Sequence, residues 1–482
     1  MTLLALTLAG LLGATDWPQS RGDAQNSASI SLDASKCGKA KAWRFEGSGR
    51  VLGYEPGMTV WSSVALAQVD DRAVLAVGSY DHLVYLLDAC SGQVQWKYPT
   101  GGAVAAAPTL WNDGQRVWLF AASSDRLVYA LEASTGARLW SVAVEDYRPT
   151  LGGARLSSAV VGTVAGEPAL FVGAWVYDRS LGASLQRGSV VALRIRDGHR
   201  LWTAALGDNE VAAPVLANVG GSARLFVASS DGTLHALDPS DGKTIWKRTE
   251  LDAIRSPPAV VELPDGPVVV LASKYGLARA LNAADGAERW SVKTLDRVIG
   301  SPAIARLGDR WLVLVPSYDR HLWALDARTG AVVWRYAARA GVYSSPAIAA
   351  DAKPPVAVVS AWDDALHVVD LATGHPVSTV FTGRPLWDVA GLDSSTWSAP
   401  VVARLNGTWV TFAGSYDGVF RALPLEGAGA VAAGADFSGL LFWLSFPATL
   451  VPLSLFAVWL TRRARKNAQM PSTSSGTARK GT

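Results

Sequence analysis

The chain repeats itself, and the repeat decides what it can fold into. A strand pattern, a turn and a tryptophan recur as 78–96 (GSYDHLVYLLDACSGQVQW), 122–140 (ASSDRLVYALEASTGARLW), 228–246 (ASSDGTLHALDPSDGKTIW), 272–290 (ASKYGLARALNAADGAERW) and 316–334 (PSYDRHLWALDARTGAVVW). Weaker copies occupy 188–202, 360–378 and 414–423. Trp202, Trp246, Trp290 and Trp334 are spaced by 44 residues, and so are Pro214, Pro258, Pro302 and Pro346 in a second block reading S-S-P-A. A period in the forties with four short strands per unit is the signature of propeller blades. One such unit cannot bury its own apolar face, so the copies must stack around a ring.

The S-S-P-A blocks number eight. Each blade reads as an inner strand A from that block, strand B as in 311–315, strand C as in 321–325, and an outer strand D at the tryptophan. Asp-Gly, Thr-Gly and Ser-Gly pairs between C and D supply the positive φ of tight hairpins. The last copy has no strand D, whereas 41–45 (KAWRF) reads as an orphan one. The expected fold is therefore all-β: an eight-bladed propeller over residues 15–426, closed by its N-terminal strand, which removes two open sheet edges.

Both ends address a membrane. Leu3 to Leu12 is a short apolar run followed by Gly13, Ala14 and Asp16, the h-region and cleavage site of a signal peptide over residues 1–14, although a basic n-region is missing and an uncleaved hydrophobic N-terminus is the alternative. After a linker at 427–436, Phe437 to Leu460 is uncharged for 24 residues. At the helical rise that is about 36 Å, enough to span a ~30 Å hydrocarbon core. Arg462, Arg463, Arg465 and Lys466 follow, so the tail at 461–482 is expected in the cytoplasm and the propeller outside it, periplasmic or extracellular. The tail also distorts the charge balance. Without its six basic groups, 38 basic residues stand against 41 acidic ones, a poor match for a phosphate-neutralising surface, and nucleic acid is set aside as a partner.

The A-L-D-x-x-[TDS]-G-x-x-x-W pattern resembles the tryptophan-docking repeat of the pyrroloquinoline-quinone-dependent dehydrogenase superfamily of propellers, over roughly residues 16 to 424. Trp17-Pro18-Gln19-Ser20-Arg21-Gly22 is similar to the opening of many of its small members. For the enzymes, the resemblance implies a quinone and Ca²⁺ in the central funnel, a catalytic carboxylate and often a disulfide between adjacent cysteines. Here the only cysteines are Cys37 and Cys90, no C-x-x-C-H haem attachment exists, and the blades lack long enclosing insertions. In these respects the chain is more similar to non-catalytic members such as the lipoprotein of the outer-membrane barrel-assembly machinery, from which it departs in having a C-terminal apolar segment and no acylatable cysteine after the signal.

No catalytic residue or metal site is predicted. The six histidines show no metal-ligand spacing and read as surface or satisfied strand positions. Glu210, just before the inner strand of blade 4, is the carboxylate nearest the funnel: the first ligand to consider if a quinone or cation binds, and otherwise an ordinary loop acid. Cys37 and Cys90 fall near one face of adjacent blades, where an oxidising compartment would favour a disulfide over two free thiols.

Loop lengths carry the functional signal. A-to-B and C-to-D connections are short, whereas insertions at 47–59, 145–154, 175–187 and 382–393 fall in D-to-A or B-to-C connections, which share one rim. That rim holds the B-to-C tips Tyr80, Tyr318 and Tyr416, and the position three residues before the S-S-P-A proline. Around the ring this position reads Trp61, Ala105, Leu156, Val211, Arg255, Ile299, Tyr343 and Trp397. Blades 7, 8 and 1 adjoin, so Tyr343, Trp397 and Trp61 form an expected aromatic arc, with Arg255 and Arg155 nearby; such a composition suits recognition, or else packing within inner strands. Two readings of function follow. One is a membrane-tethered binding or scaffold module for a protein, peptide or envelope component, without a cofactor. The other is a quinone-dependent dehydrogenase feeding electrons to the membrane.

Overall fold

The computed structural model describes residues 23, 28–32, 42–46, 62–144, 152–178, 185–207, 210–363, 365–381, 398–414 and 419–425. The chain divides into two units, 1–433 and 434–482, and every described residue lies in the first. The expected signal peptide, linker, membrane span and tail lie outside the described residues. Among the described residues there is no helix long and apolar enough to cross a membrane.

Eight sheets succeed one another along the chain, each built on an antiparallel A-B-C-D run. Blade 6 is representative, with Ala303–Leu307, Arg310–Pro316, His321–Asp326 and Val332–Ala337. Strands B and C are buried on both faces, between neighbouring blades, and so read as continuous apolar runs such as Leu312–Val315. Blade 8 takes its outer strand from the N-terminus: Trp43–Glu46 pairs antiparallel with Val419–Pro424, from Trp43↔Ala422 to Glu46↔Val419. This is the predicted closure. A second N-terminal strand, Ser29–Leu32, has no counterpart in the sequence reading. It runs parallel to Val401–Leu405 on the inner edge of the same blade, giving that sheet five strands.

The tryptophan repeat is an inter-blade dock. Trp43, Trp96, Trp140, Trp202, Trp246, Trp290 and Trp334 each donate their indole N–H to a backbone carbonyl in the next blade, over 2.6–3.2 Å. Each ring rests on the glycine of that blade's C-to-D turn. At Gly330 φ is +73°, and a Cβ there would stand 2.8 Å from the Trp290 ring, so the position requires glycine twice over. Blade 7 has Ser378 where its tryptophan would be.

The S-S-P-A block is a second staple. Its first serine ties strand A to the end of strand B, as Ser62 Oγ does by accepting the Gly78 N–H (2.8 Å) and donating to the Gly78 carbonyl (3.0 Å). Its second serine reaches the preceding blade: Ser345 Oγ accepts the Ser301 N–H at 2.7 Å.

The aspartates of the B-to-C tips latch the opposite rim. Asp319 accepts the His321 N–H (2.9 Å), the Trp323 indole N–H (3.0 Å) and, from the preceding D-to-A loop, the Leu295 N–H (3.0 Å). Asp125 does the same with Leu127, the Tyr129 hydroxyl and Gly101. Burial and that acid push the Tyr129 phenol up to about 12. At Asp363 burial opposes ionisation, yet the His367 hydrogen bond and the Arg339 N–H hold its carboxyl below the usual range. His367 also meets the Tyr336 hydroxyl at 2.8 Å. His235, the matching residue of blade 4, departs from the expectation of a satisfied position: it is buried and neither ring nitrogen has a partner among the described residues.

Candidate functional site

Charged side chains from three successive blades meet on the inserted rim. In blade 3, strands Glu167–Asp178 and Leu185–Arg194 rise well beyond the blade's outer strand, which ends at Gly207 opposite Gly188. The D-to-A connection joins this hairpin as an extra strand, Gly152–Leu156, paired from Gly152↔Asp178 to Leu156↔Ala174. The two insertions therefore share one rim through direct backbone pairing. The strand presents Arg155 to Glu210, whose position is fixed by its carbonyl accepting the Ser230 N–H at 2.9 Å.

Arg155 Nη1 donates to Glu210 Oε1 at 3.2 Å, and Arg255 Nε stands 4.0 Å from Glu210 Oε2. The Arg155 guanidinium lies 5.7 Å from the Trp175 ring, which stacks on Tyr177 at 4.8 Å. Trp175 Nε1 is buried without a partner among the described residues. With the arginine side chains 67% and 52% exposed, this pairing contributes at most about 1 kcal/mol to stability. Its consequence is geometric: one carboxylate is held while, among the described residues, both guanidiniums keep donors free. Arg155, Glu210, Arg255, Tyr80 and Tyr177 line a cavity of about 790 Å³. Toward the axis, a cavity of about 360 Å³ is walled by small residues such as Ser63, Ala106 and Ser345, and Arg255 and Ser158 line both.

Blades 6 and 7 add an aromatic cluster. Tyr318, Tyr343 and Trp362 approach one another at centroid distances of 5.7, 5.8 and 6.4 Å, and the Arg297 guanidinium covers the Tyr318 ring at 4.3 Å. Burial pushes the Tyr318 phenol up to about 12, and burial with Tyr80 nearby raises that of Tyr343.

The predicted residues thus fall into two groups, Arg155, Glu210, Arg255 and Tyr80 at the cavity and Tyr318 with Tyr343 in the cluster. Trp61, Trp397 and Tyr416, and with them most of the expected arc, lie outside the described residues. Cys90 is disulfide-bonded, and the only other cysteine, Cys37, lies outside the described residues. Trp175 and Tyr177 went unrecognised as site residues, although both sit in the insertion that the loop lengths had marked.

The sequence profile of the family described as outer membrane protein assembly factor BamB matches residues 38–215, 186–292 and 230–429. The chain belongs to that family. No curated protein matches it by sequence. Among solved structures, this BamB-family chain is similar to BamB from Moraxella catarrhalis (19% identity, TM-score 0.51, 74% of this chain and 92% of that one). It is also similar to a europium-containing methanol dehydrogenase (15%, 0.61, 84% and 91%) and to the quinohemoprotein alcohol dehydrogenase from Comamonas testosteroni (14%, 0.61, 87% and 82%). At these identities the structures share the fold.

The dehydrogenase likeness raises the question of whether a quinone with calcium suits this funnel. Calcium takes about six to eight oxygen ligands, several of them carboxylates. The mouth offers Glu210, already held by Arg155 and approached by Arg255. Among the described residues no group of three or more His, Cys, Asp or Glu can hold a metal ion. This donor set does not fit the pair, and no step is derived through it.

Proposed function

We propose that the protein is a membrane-tethered, extracytoplasmic binding module that captures a protein, peptide or envelope component on its inserted rim. The observation that carries this reading is the convergence, at one cavity mouth, of a raised three-stranded wall, two open guanidiniums and stacked aromatic rings, on a ring whose repeated residues are committed to docking one blade to the next. Exposed arginine beside aromatic surface is the composition of recognition hot spots. Membership of the BamB family supports the same reading. The apolar segment 437–460 supplies the tether, the leader at 1–14 the export, and a Cys37–Cys90 bridge a staple across the closure. The ring's last described strand, Val419–Pro424, is a strand C and ends at the C-to-D rim.

The test is site-specific photocrosslinking with the full chain in its native membranes. A crosslinker replacing Tyr80 or Tyr177 is expected to give a discrete adduct, one replacing Arg328 on the plain rim none, and Glu210→Arg to abolish the first. Equal labelling from both rims defeats the proposal. So does a quinone absorption band with dye-linked alcohol oxidation after incubation with pyrroloquinoline quinone and Ca²⁺.

A further inference from the structure

Blade 5 lacks the tip acid on which the latch of blades 1, 2, 6 and 7 is built. Where blades 1, 2, 4, 6 and 7 place Asp81, Asp125, Asp231, Asp319 and Asp363, blade 5 has Tyr275. Four residues on, Tyr85, Tyr129, Trp323 and His367 bind their tip acid, but blade 5 has Arg279, which turns to Glu288 at 2.9 Å. Tyr275 is left 62% exposed. Beside it, the D-to-A loop exposes Leu295 to 75%, its backbone anchored by Asp319 and by the Thr294 N–H on the Gly276 carbonyl at 2.7 Å. In the preceding loop Glu250 and Asp252 are held at φ of 64° and 60°, and the Ala253 carbonyl accepts the Lys274 N–H. Departures from a repeated rule that bring no packing gain mark functional positions.

Charge says what such a surface takes. Lys274 adjoins Tyr275 in the chain, Lys293 and Arg297 flank Leu295 on either side, and Arg320 follows Asp319, which holds the Leu295 N–H; none of the four is ion-paired among the described residues, against Asp296 in the same loop and Glu250 and Asp252 on the blade 4 side. We propose that the blade 5 rim docks an acidic segment of a partner polypeptide, one of whose apolar side chains packs between Tyr275 and Leu295 while its carboxylates meet Arg297, Arg320 and Lys293. The proposal rests on the binding-module reading and adds a second contact, at Tyr275 and Leu295, to the one at Arg155, Glu210 and Arg255.

The test pans a random dodecapeptide phage library on the full chain in detergent and measures each enriched peptide by fluorescence anisotropy. Enriched peptides are expected to join Leu, Ile or Phe to Asp or Glu. Tyr275→Ser with Leu295→Ser should weaken them about 30-fold, the effect of losing a hot spot. Arg297→Glu with Arg320→Glu should weaken them about tenfold and favour a lysine-substituted peptide. Both pairs are surface changes, and an unchanged melting temperature confirms folding. Peptides that depend on Arg155 or Arg255 but not on Tyr275, Leu295, Arg297 or Arg320 overturn the inference and leave the wider reading intact. A basic consensus, or no enrichment, overturns it. Concentration-dependent dimerisation abolished by Tyr275→Ser assigns the patch to a second copy of the chain and also overturns it.

Discussion

The two rims use their residues differently. On the plain rim, the glycine of each C-to-D turn carries the tryptophan of the preceding blade, so Gly330 and Trp290 serve one another and are unavailable for anything else. On the inserted rim the tip aspartates of blades 1, 2, 6 and 7 are equally committed, but to a lighter latch, which is incomplete at blade 4 and lacks its acid at blade 5. The comparison teaches that positions repeated around the ring report stability, whereas positions that depart from the repeat are free to report function.

The largest effect that can break this comparison is Trp290→Ala. It removes a buried ring and its hydrogen bond and should cost about 3–5 kcal/mol in urea denaturation, with rim crosslinking per folded molecule unchanged. If crosslinking falls further than the folded fraction, the rims are not independent. Asp319→Ala comes next. It strands the Leu295 N–H and the Trp323 indole, and should cost about 1–3 kcal/mol, whereas Tyr275→Ser should stay within about 0.5 kcal/mol. Equal losses would mean that Tyr275 is structural. A smaller effect is expected from His235→Tyr, which places in blade 4 the hydroxyl that Tyr129 offers Asp125, and should add about 1 kcal/mol of stability.

The same histidine gives a pH dependence. Burial lowers the His235 pKa below its ordinary 6.5, Lys247 adds to this and Asp231 opposes it. The unfolded chain then binds the proton more readily than the folded one, so the neutral ring's contribution is complete above pH 6.5 and is lost as the pH falls from there through the lowered value. Roughly between pH 7.5 and pH 5, the range in which histidine titrates, the melting temperature of wild type should fall relative to that of His235→Phe, by most at the acidic end. A difference between the two that stays constant with pH would show that burial does not lower the histidine's pKa.

Sequence alone determined the blade count, the four-strand unit and the closure by Trp43–Glu46, because spacing and turn chemistry are local and eight copies reinforce one another. It also marked the inserted rim, since loop length is legible without coordinates. The tertiary structure decided the rest. Ser29–Leu32 carries no turn or tryptophan to announce it, and only the open inner edge of blade 8 makes it a strand. Arg155, Glu210 and Arg255 stand 55 and 45 residues apart along the chain, and only the ring brings them to one mouth. Glu210 follows the same rule. A loop carboxylate can be located from sequence, but its charge partners come from neighbouring blades, and those partners decide whether it holds a cation or a guanidinium.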